Sequence, residues 1–432
     1  MPRNFLRVWL LYWLAVALLP VHSLYPATLA ALLLQVAFVG LVGLSFAAVW
    51  VLAGPRRLPI VGDIEIAGAV SIARAAMLLS VVGFVSLAYD RVVVQGIDYS
   101  AGVAVAREQW RVLGEERDGA PSSAFSVMGY LLGSAYFVTV VLAITQAKSF
   151  SKRERTTALV GAFVLMMANS ALSGGRSNVL LLAALVWSAF SARRALTLRV
   201  LMGAAIQRMV LKGLAFLALA YTVYIFYERA EAGGDSALDY VTDFLPYLGL
   251  DVDPGFQGTL DGGPLSSLGA MLVLAVSYVT HSFSTTAAII DGPMEDKTIV
   301  FLHMATILHK LGILGAPDGD WFLAGRLPSL PGALWHQFGV FGFFLASLCL
   351  GAMAAGARVW LACQPHRLLP LGVYVLLDTT LLLSPALFAG DFLSFPFVAG
   401  SFVMLAVGSR MGRAAGRLRV ALTGSKSVTA GT

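Results

Sequence analysis

The chain has 432 residues, of which 58% are hydrophobic and only 12% are charged, and its formal net charge is +6. This composition is not that of a soluble domain, in which about a quarter of the residues are charged. The basic excess does not indicate a nucleic-acid-binding protein, because lysine and arginine lie in short links between apolar segments. The two cysteines, Cys349 and Cys363, offer neither a disulfide framework nor a zinc site.

Ten apolar segments are long enough, or nearly so, to cross a bilayer as helices, each crossing taking about 20 residues. They predict an all-α polytopic membrane protein with about 10–12 transmembrane helices. Residues 1–420 form one transmembrane domain, and 421–432 form a polar cytoplasmic tail. In chain order the segments are 6–22, 29–53, 67–88, 124–147, 156–173, 178–192, 211–227, 337–360, 369–389 and 396–409.

Basic residues collect in every second link between these segments. Twenty of the 30 lysines and arginines fall on the side that holds both termini, with only three acidic residues, Asp63, Glu65 and Glu154. Because cytoplasmic links carry the lysine and arginine excess, this side is predicted to be the cytoplasm. The pattern predicts a bacterial inner membrane protein with cytoplasmic N- and C-termini and a basic tail that contacts anionic membrane lipids. Arg74 and Asp378 fall inside spans and are interpreted as a structural pair.

Two outer links, 89–123 and 228–335, are much longer than the others and hold most of the polar residues on that side. Within the second, 266–290 and 298–315 are apolar. They form either a hairpin that crosses the membrane and returns, or helices that lie against the outer leaflet. The connection at 291–297 is acidic, which violates the charge bias, so we favour the second arrangement.

The first outer loop contains Arg91 and an arginine pair that suits a polyanion. Arg107 and Arg111 are four residues apart and share one face of a helix. The pair fits a pyrophosphate, because the planar guanidinium donates paired hydrogen bonds to phosphate oxygens. Alternatively, Arg107 and Arg111 form ion pairs on a solvated helix with neighbouring acids. Tyr99, in the same loop, is an aromatic candidate for contact with a sugar ring.

A second candidate is the turn Ser173-Gly174-Gly175-Arg176-Ser177, in which two glycines allow a sharp reversal. Arg176 then lies at the outer membrane boundary, where a cation is costly unless a ligand or partner compensates it. Alternatively, its side chain extends to lipid phosphates. Glu228 and Arg229, at the outer end of the seventh span, are either a general base beside a phosphate-binding arginine or a local ion pair.

His281 and His336 are further candidate general bases, since histidine titrates near neutral pH. A lone histidine at a membrane interface is more often structural, and this alternative stays open for both. Trp335, beside His336, is a candidate for contact with a glycan. Two Asp-x-Asp triplets, 251–253 and 318–320, fit turns as well as a divalent cation site. We predict no metal and no cofactor, and no link carries the phosphate-binding loop of an ATPase.

With these motifs the chain resembles the O-antigen polymerases of the Wzy type, which are related to the O-antigen ligases. The resemblance rests on the span layout with two enlarged periplasmic loops and on three short motifs. They are the Ser-Gly-Gly-Arg-Ser turn at 173–177, the stretch 278–291, and Phe338-Gly339-Val340-Phe341-Gly342. The likeness covers 1–420, mainly as topology.

The resemblance implies a GT-C-like fold and a metal-independent glycosyltransferase at the periplasmic face of the inner membrane. The enzyme would polymerise undecaprenyl-pyrophosphate-linked oligosaccharide repeat units, with a chain-length regulator protein as a partner. Arg176, with Arg91 and Arg107 or Arg229, would stabilise the charge that develops on the leaving pyrophosphate. The base stays open among His281, His336 and Glu228. Two other functions stay open as well: an O-antigen ligase, and a transporter or flippase of lipid-linked oligosaccharides.

Overall fold

A computed structural model describes residues 2–53, 66–115, 122–173, 177–196, 204–234, 236–255, 266–292, 326–392 and 394–424. The described part of the chain is helical apart from one small antiparallel ribbon and the connecting turns. The helices are α1 (Pro2–Leu18), α2 (Thr28–Ala53), α3 (Ala69–Tyr89), α4 (Val103–Glu115), α5 (Ala124–Gly133), α6 (Tyr136–Thr145), α7 (Lys152–Ser173), α8 (Ser177–Leu196), α9 (Ala204–Gly233), α10 (Ala237–Tyr247), α11 (Ser266–Thr280), α12 (Ser282–Asp291), α13 (Leu330–Cys363), α14 (Leu368–Leu383) and α15 (Ser394–Gly424). The strands are β1 (Val21–Ser23) and β2 (Leu250–Val252), and a π-helical turn, Asp90–Val94, continues α3.

Each of the ten apolar segments coincides with a helix or, at 124–147, with the consecutive pair α5 and α6. Within the described part of the chain, six of these elements are long and apolar enough to cross a membrane, or seven if a bent pair counts as one span. The prediction of a helical, multi-pass membrane protein is therefore confirmed. The six are α2, α3 with its π-helical turn, α5 with α6, α7, α13, and the 394–411 part of α15.

Large apolar side chains cover the outside of these helices. Leu33 on α2 is 61% exposed, Leu52 on the same helix is 84% exposed, and Phe341 on α13 is 81% exposed. Contiguous apolar surface of this kind is rare on soluble monomers, because it is costly in water. It is what a lipid-facing surface requires.

The bent pair is α11 and α12, which meet at an angle of 52° on either side of His281. Such a break is typical of a broken span or of a re-entrant segment, where irregular backbone is tolerated because it lines a cavity. The predicted apolar segment 298–315 lies outside the described residues. The bend places the backbone of His281 in the polar interior of the molecule, among buried hydroxyl side chains.

Helix α3 crosses α5 at very short range because glycines lie at the crossing. A side-chain carbon on Gly83 would come within 2.7 Å of the Gly133 Cα atom, and one on Gly129 would meet the Leu87 Cβ at 2.7 Å. Small residues allow helices in a membrane to approach this closely, which increases the van der Waals contact between them. The crossing fixes the end of α3, and with it Arg91, against Tyr130 on α5.

Hydrogen bonds at the ends of the helices tie together segments that are distant in the sequence. At the end predicted to be outer, β1 pairs antiparallel with β2, and His22 Nδ1 lies 3.0 Å from Asp253 Oδ1. Asp253, one member of the 251–253 triplet, is therefore part of this ribbon. At the other end, Arg193 donates hydrogen bonds to the carbonyl oxygens of Ile144 and Thr145.

The predicted pair between Arg74 and Asp378 is wrong. The Arg74 guanidinium instead lies 2.7 Å from the carboxylate of Glu154, at the start of α7. Both residues lie near the predicted cytoplasmic ends of their helices, where a long side chain reaches the interface. Asp378 is buried in α14.

Candidate functional site

Helix α4, in the loop predicted to be outer, contacts both α7 and α9. The backbone before it is tied in place, because the Ile97 N–H donates to the carbonyl of Arg91 and the Asp98 N–H donates to the Gln109 side chain. Arg107 and Trp110 are three residues apart on α4, so their side chains are neighbours on the helix surface. Helix α4 therefore places an arginine and an aromatic ring next to the end of α3.

Arg91, just after α3, is the most unusual of the predicted residues. It is only 2% exposed, although it carries a positive charge. Its guanidinium lies 4.0 Å from the centre of the Trp110 ring, a cation–π contact, and its Nη2 donates to the Tyr130 hydroxyl at 2.8 Å. Its Nε and Nη1 are also buried, and they have no hydrogen-bond partner within the described ranges.

The neighbouring carboxylate of Asp90 forms its hydrogen bonds with groups other than Arg91. It accepts hydrogen bonds of 2.5–2.7 Å from the Ser122 and Ser123 hydroxyls and from the Gln95 amide. No ion pair joins it to Arg91 in the part of the chain that the structure describes. A buried cation with unused N–H groups and no direct ion-pair partner is costly, and an anionic ligand bound to those N–H groups would reduce that cost.

Tyr99 connects this loop to the end of α7, directly before the 173–177 turn. Its hydroxyl donates to the Leu172 carbonyl at 2.7 Å, one residue before the turn begins. Burial raises the pKa of this hydroxyl above its ordinary value, so Tyr99 stays protonated and keeps its role as donor. Arg176 itself lies outside the described residues. The Tyr99 contact nevertheless brings the first outer loop to the segment that contains Arg176.

A cavity of about 190 Å³ brings three of the predicted motifs together. Arg107 of α4 lines it from the first outer loop, and Ser177, the first residue of α8, lines it directly after the 173–177 turn. His281 lines it from the bend between α11 and α12. The other lining residues are mainly apolar: Leu180, Tyr278, Val279, Leu327, Ala386, Leu387 and Phe392.

His281 is 2% exposed and is held by two backbone groups. Its Nδ1 donates to the Tyr278 carbonyl at 2.6 Å, and its Nε2 accepts from the Leu327 N–H at 3.3 Å. The first bond is short and the second is long, since N–H···O and N–H···N bonds centre near 2.9–3.0 Å. The ring is therefore fixed through Nδ1, and Nε2, on the more weakly held side, is the nitrogen that can exchange partners.

Glu228 and Arg229 lie beside α4 at the outer end of α9. Glu228 accepts a hydrogen bond of 2.8 Å from Tyr224, one turn earlier. The pKa of Glu108 is lowered, first by its hydrogen bond with Arg111 and also by the charges of Arg107 and Arg229. The structure thus gathers four of the predicted arginines, Arg91, Arg107, Arg111 and Arg229, around α4.

Arg111 differs from the other arginines of this group. It is exposed and forms a two-point ion pair with Glu108, with distances of 2.6 and 3.2 Å. The alternative prediction, an ion pair on a solvated helix, therefore fits Arg111 better than a pyrophosphate contact.

His336 and Trp335 lie apart from this group, near the start of α13. Trp335 packs against Ala288 and Ile289 of α12, and His336 is buried. Neither lines the cavity with Arg107 and His281. A kink at Gly339, whose φ is +63°, follows them within the Phe338–Gly342 motif.

Arg326 was not among the predicted residues, yet it lies beside His281. Its Nη1 donates to the Tyr25 hydroxyl at 2.8 Å, its guanidinium lies 5.2 Å from the centre of the Tyr247 ring, and its charge acts on His281. The next residue, Leu327, supplies the N–H that bonds His281. The available sequence signal was an arginine shortly before an apolar span, the same signal that singled out Arg176.

Within the described residues, no group of three or more histidine, cysteine, aspartate or glutamate side chains is placed to hold a metal ion. The Asp318–Asp320 triplet lies outside them. Comparisons of the chain with models of protein families, with curated proteins and with solved structures found no match.

Proposed function

We propose that this protein is a glycosyltransferase that polymerises oligosaccharide repeat units carried on undecaprenyl pyrophosphate at the outer face of a bacterial inner membrane. The observation that carries this proposal is Arg91, a buried guanidinium whose Nε and Nη1 atoms have no hydrogen-bond partner and which forms no ion pair among the described residues. A diphosphate supplies negative charge and oxygen atoms that can accept hydrogen bonds from these N–H groups.

The proposed reaction places the diphosphate against Arg91, Arg107 and Arg229, with Arg176 at the adjoining turn. The bond between the first sugar and the diphosphate oxygen breaks, and the sugar forms a new bond to an acceptor hydroxyl. Negative charge then grows on the leaving diphosphate, where fixed guanidinium groups in a poorly hydrated site lower the barrier. The proton of the acceptor hydroxyl passes to a base.

His281 is the best-placed base of the three candidates. It lines the same cavity as Arg107, whereas His336 does not, and Glu228 accepts a hydrogen bond from Tyr224. In this role Nε2 gives up its long hydrogen bond from the Leu327 N–H and accepts a hydrogen bond from the acceptor hydroxyl instead. The Nδ1 bond to Tyr278 meanwhile keeps the ring orientation and tautomer fixed.

One experiment separates this function from the two alternatives. Purified protein in lipid vesicles is given a lipid-linked oligosaccharide as its only glycan substrate, without lipid A–core. A polymerase makes longer lipid-linked chains. A ligase makes none until lipid A–core is added, and a transporter moves the substrate across the membrane without forming a glycosidic bond. Failure to lengthen the chains under any condition would overturn the proposal.

The His281→Gln variant tests the base. Glutamine can still accept a hydrogen bond from the Leu327 N–H, but it cannot take up a proton near neutral pH. We expect normal amounts of protein in the membrane, a thermal unfolding midpoint close to that of the parent, and at least a ~100-fold loss of polymerisation, the order that general base catalysis contributes. Retained activity would leave His281 with a structural role only.

A further inference from the structure

The helix break at His281 is held by a side chain from the first helix of the chain. Tyr12 lies on α1 and is only 6% exposed. Its hydroxyl donates to the Thr280 carbonyl at 3.0 Å and lies 2.6 Å from the Ser282 hydroxyl. Thr280 and Ser282 are the two neighbours of His281 in the sequence. One phenol group therefore contacts the last residue of α11 and the first residue of α12.

The end of α11 requires contacts of this kind, because a helix leaves its last carbonyl groups without intrahelical partners. The Ser277 carbonyl accepts from the His281 N–H, and the Tyr278 carbonyl accepts from the His281 ring. The carbonyl of Thr280, a residue only 3% exposed, accepts from Tyr12. Removing the Tyr12 hydroxyl would take away a hydrogen bond from a buried carbonyl, which is costly in an apolar interior.

The same network reaches a second part of the cavity wall. The Ser282 hydroxyl donates to the Pro385 carbonyl at 2.6 Å, directly before two residues that line the cavity. Trp9 is three residues before Tyr12 on the same face of α1, and its Nε1 donates to the Ser384 hydroxyl at 3.1 Å. Helix α1 therefore bonds both to the break at 280–282 and to the link that follows α14.

Other buried groups restrict the position of Tyr12. Gln35 of α2, which is fully buried, and the backbone of Phe283 also face its hydroxyl. Gln35 in turn accepts a hydrogen bond of 3.0 Å from the Trp13 Nε1 atom. The Tyr12 ring packs edge-on against Trp9, with 5.7 Å between the ring centres. Connected polar groups in a buried site specify one arrangement, so the hydroxyl of Tyr12 is a fixed point for the break.

We propose that Tyr12 is a positioning residue for His281, and that its hydroxyl sets the direction in which the His281 ring enters the cavity. This inference rests on the proposed role of His281 as the base. The ring is bonded to the carbonyl of Tyr278, so a shift of the backbone at Thr280 would move Nε2 within the cavity. A base must lie within hydrogen-bond distance of the proton that it takes up, and small displacements of such a group slow catalysis.

The first test is Tyr12→Phe, which removes one oxygen atom and keeps the ring. In the vesicle assay we expect a roughly 10-fold or greater loss of kcat, since misplaced catalytic groups cost up to about 100-fold. The KM for the lipid-linked oligosaccharide should stay unchanged, because Tyr12 does not line the cavity.

Tyr374→Phe is the matched control. It removes the hydroxyl of another buried tyrosine, on α14, which lies 3.1 Å from the Ser191 hydroxyl and does not contact the break at His281. This variant should keep its kcat. An equal loss of kcat in both variants, or a change confined to KM in Tyr12→Phe, would overturn the inference.

A double variant separates positioning from a general structural effect. If Tyr12 acts through His281, the change Tyr12→Phe should cost little in a protein that already carries His281→Gln, so the two losses should not add. A further loss in the double variant as large as that of Tyr12→Phe alone would contradict the inference.

Nuclear magnetic resonance of histidine ring nitrogens provides a readout that does not need catalysis. In labelled full-length protein in nanodiscs, the His281 signals are identified by their loss in His281→Gln. We expect Tyr12→Phe to shift them and Tyr374→Phe to leave them in place. Ser282→Ala should also shift them, and this variant decides the question if Tyr12→Phe does not fold. An inactive parent would overturn the proposed function, whereas unchanged ring signals in an active parent would overturn the positioning by Tyr12.

Discussion

Replacing Arg91 by alanine should reduce polymerisation by roughly 100-fold or more, which is the usual cost of removing one fixed donor to a developing negative charge. The guanidinium is buried, stacked on Trp110 and bonded to Tyr130, so its position is set before any substrate arrives. The loss should be larger in activity than in folding, because in the variant the Asp90 carboxylate keeps its hydrogen bonds from Ser122, Ser123 and Gln95. The measurement is the chain-length distribution made from lipid-linked oligosaccharide, together with the Tm of the purified variant.

Arg111→Ala is the matched control for this prediction. Arg111 has the same side chain on the same outer loop, but it is exposed and already paired with Glu108. Exposed ion pairs of this kind contribute little, so we expect this variant to retain most of the activity. Arg91→Lys should stay largely inactive, since a lysine cannot supply the fork of donors. Equal losses in Arg91→Ala and Arg111→Ala would contradict the role given to Arg91.

Gly83→Ala should be the most damaging conservative change to the fold. The added methyl group would overlap the main chain of Gly133, which cannot move without displacing α5. Overpacking a well-packed contact typically costs about 1–3 kcal/mol. We expect a lower Tm and reduced polymerisation, because the same crossing places Arg91 against Tyr130.

Gly133→Ala is the control for this crossing. A side-chain carbon at Gly133 would meet only the Asn169 Oδ1 atom, at an ordinary distance of 3.8 Å. The variant should therefore unfold at nearly the same temperature as the parent, although it lies at the same helix contact. If both variants were equally stable, or equally unstable, the close approach of α3 and α5 would be the wrong explanation.

The helices could be predicted because each depends on composition within one segment. A run of apolar residues determines a helix in lipid whatever its neighbours are, and the alternation of basic links assigns the ends. The arginines of α4 were found for the same reason, since a charge at a membrane boundary stands out within its own segment.

Contacts between distant segments could not be predicted in this way. Nothing in the sequence near Asp90 indicates that its carboxylate accepts hydrogen bonds from Ser122 and Ser123 rather than from Arg91. Arg74 fell inside a predicted span, and only the packing of α3 on α7 brings it to Glu154. Arg326 was missed because only the folded chain brings it close to His281. Its neighbour Leu327 donates a backbone hydrogen bond to the His281 ring, and these residues are distant in the sequence.

Direct binding of a polyprenyl diphosphate is the measurement closest to the central claim. Purified protein in nanodiscs is titrated with a diphosphate-linked oligosaccharide on a short polyprenyl chain, and binding is followed calorimetrically for the parent and for Arg91→Ala. Hydrogen bonds to charged groups contribute about 1.5–3 kcal/mol, so the account predicts saturable binding that weakens roughly 10- to 100-fold in the variant. Equal affinity of the two proteins, or no binding by the parent, would contradict it.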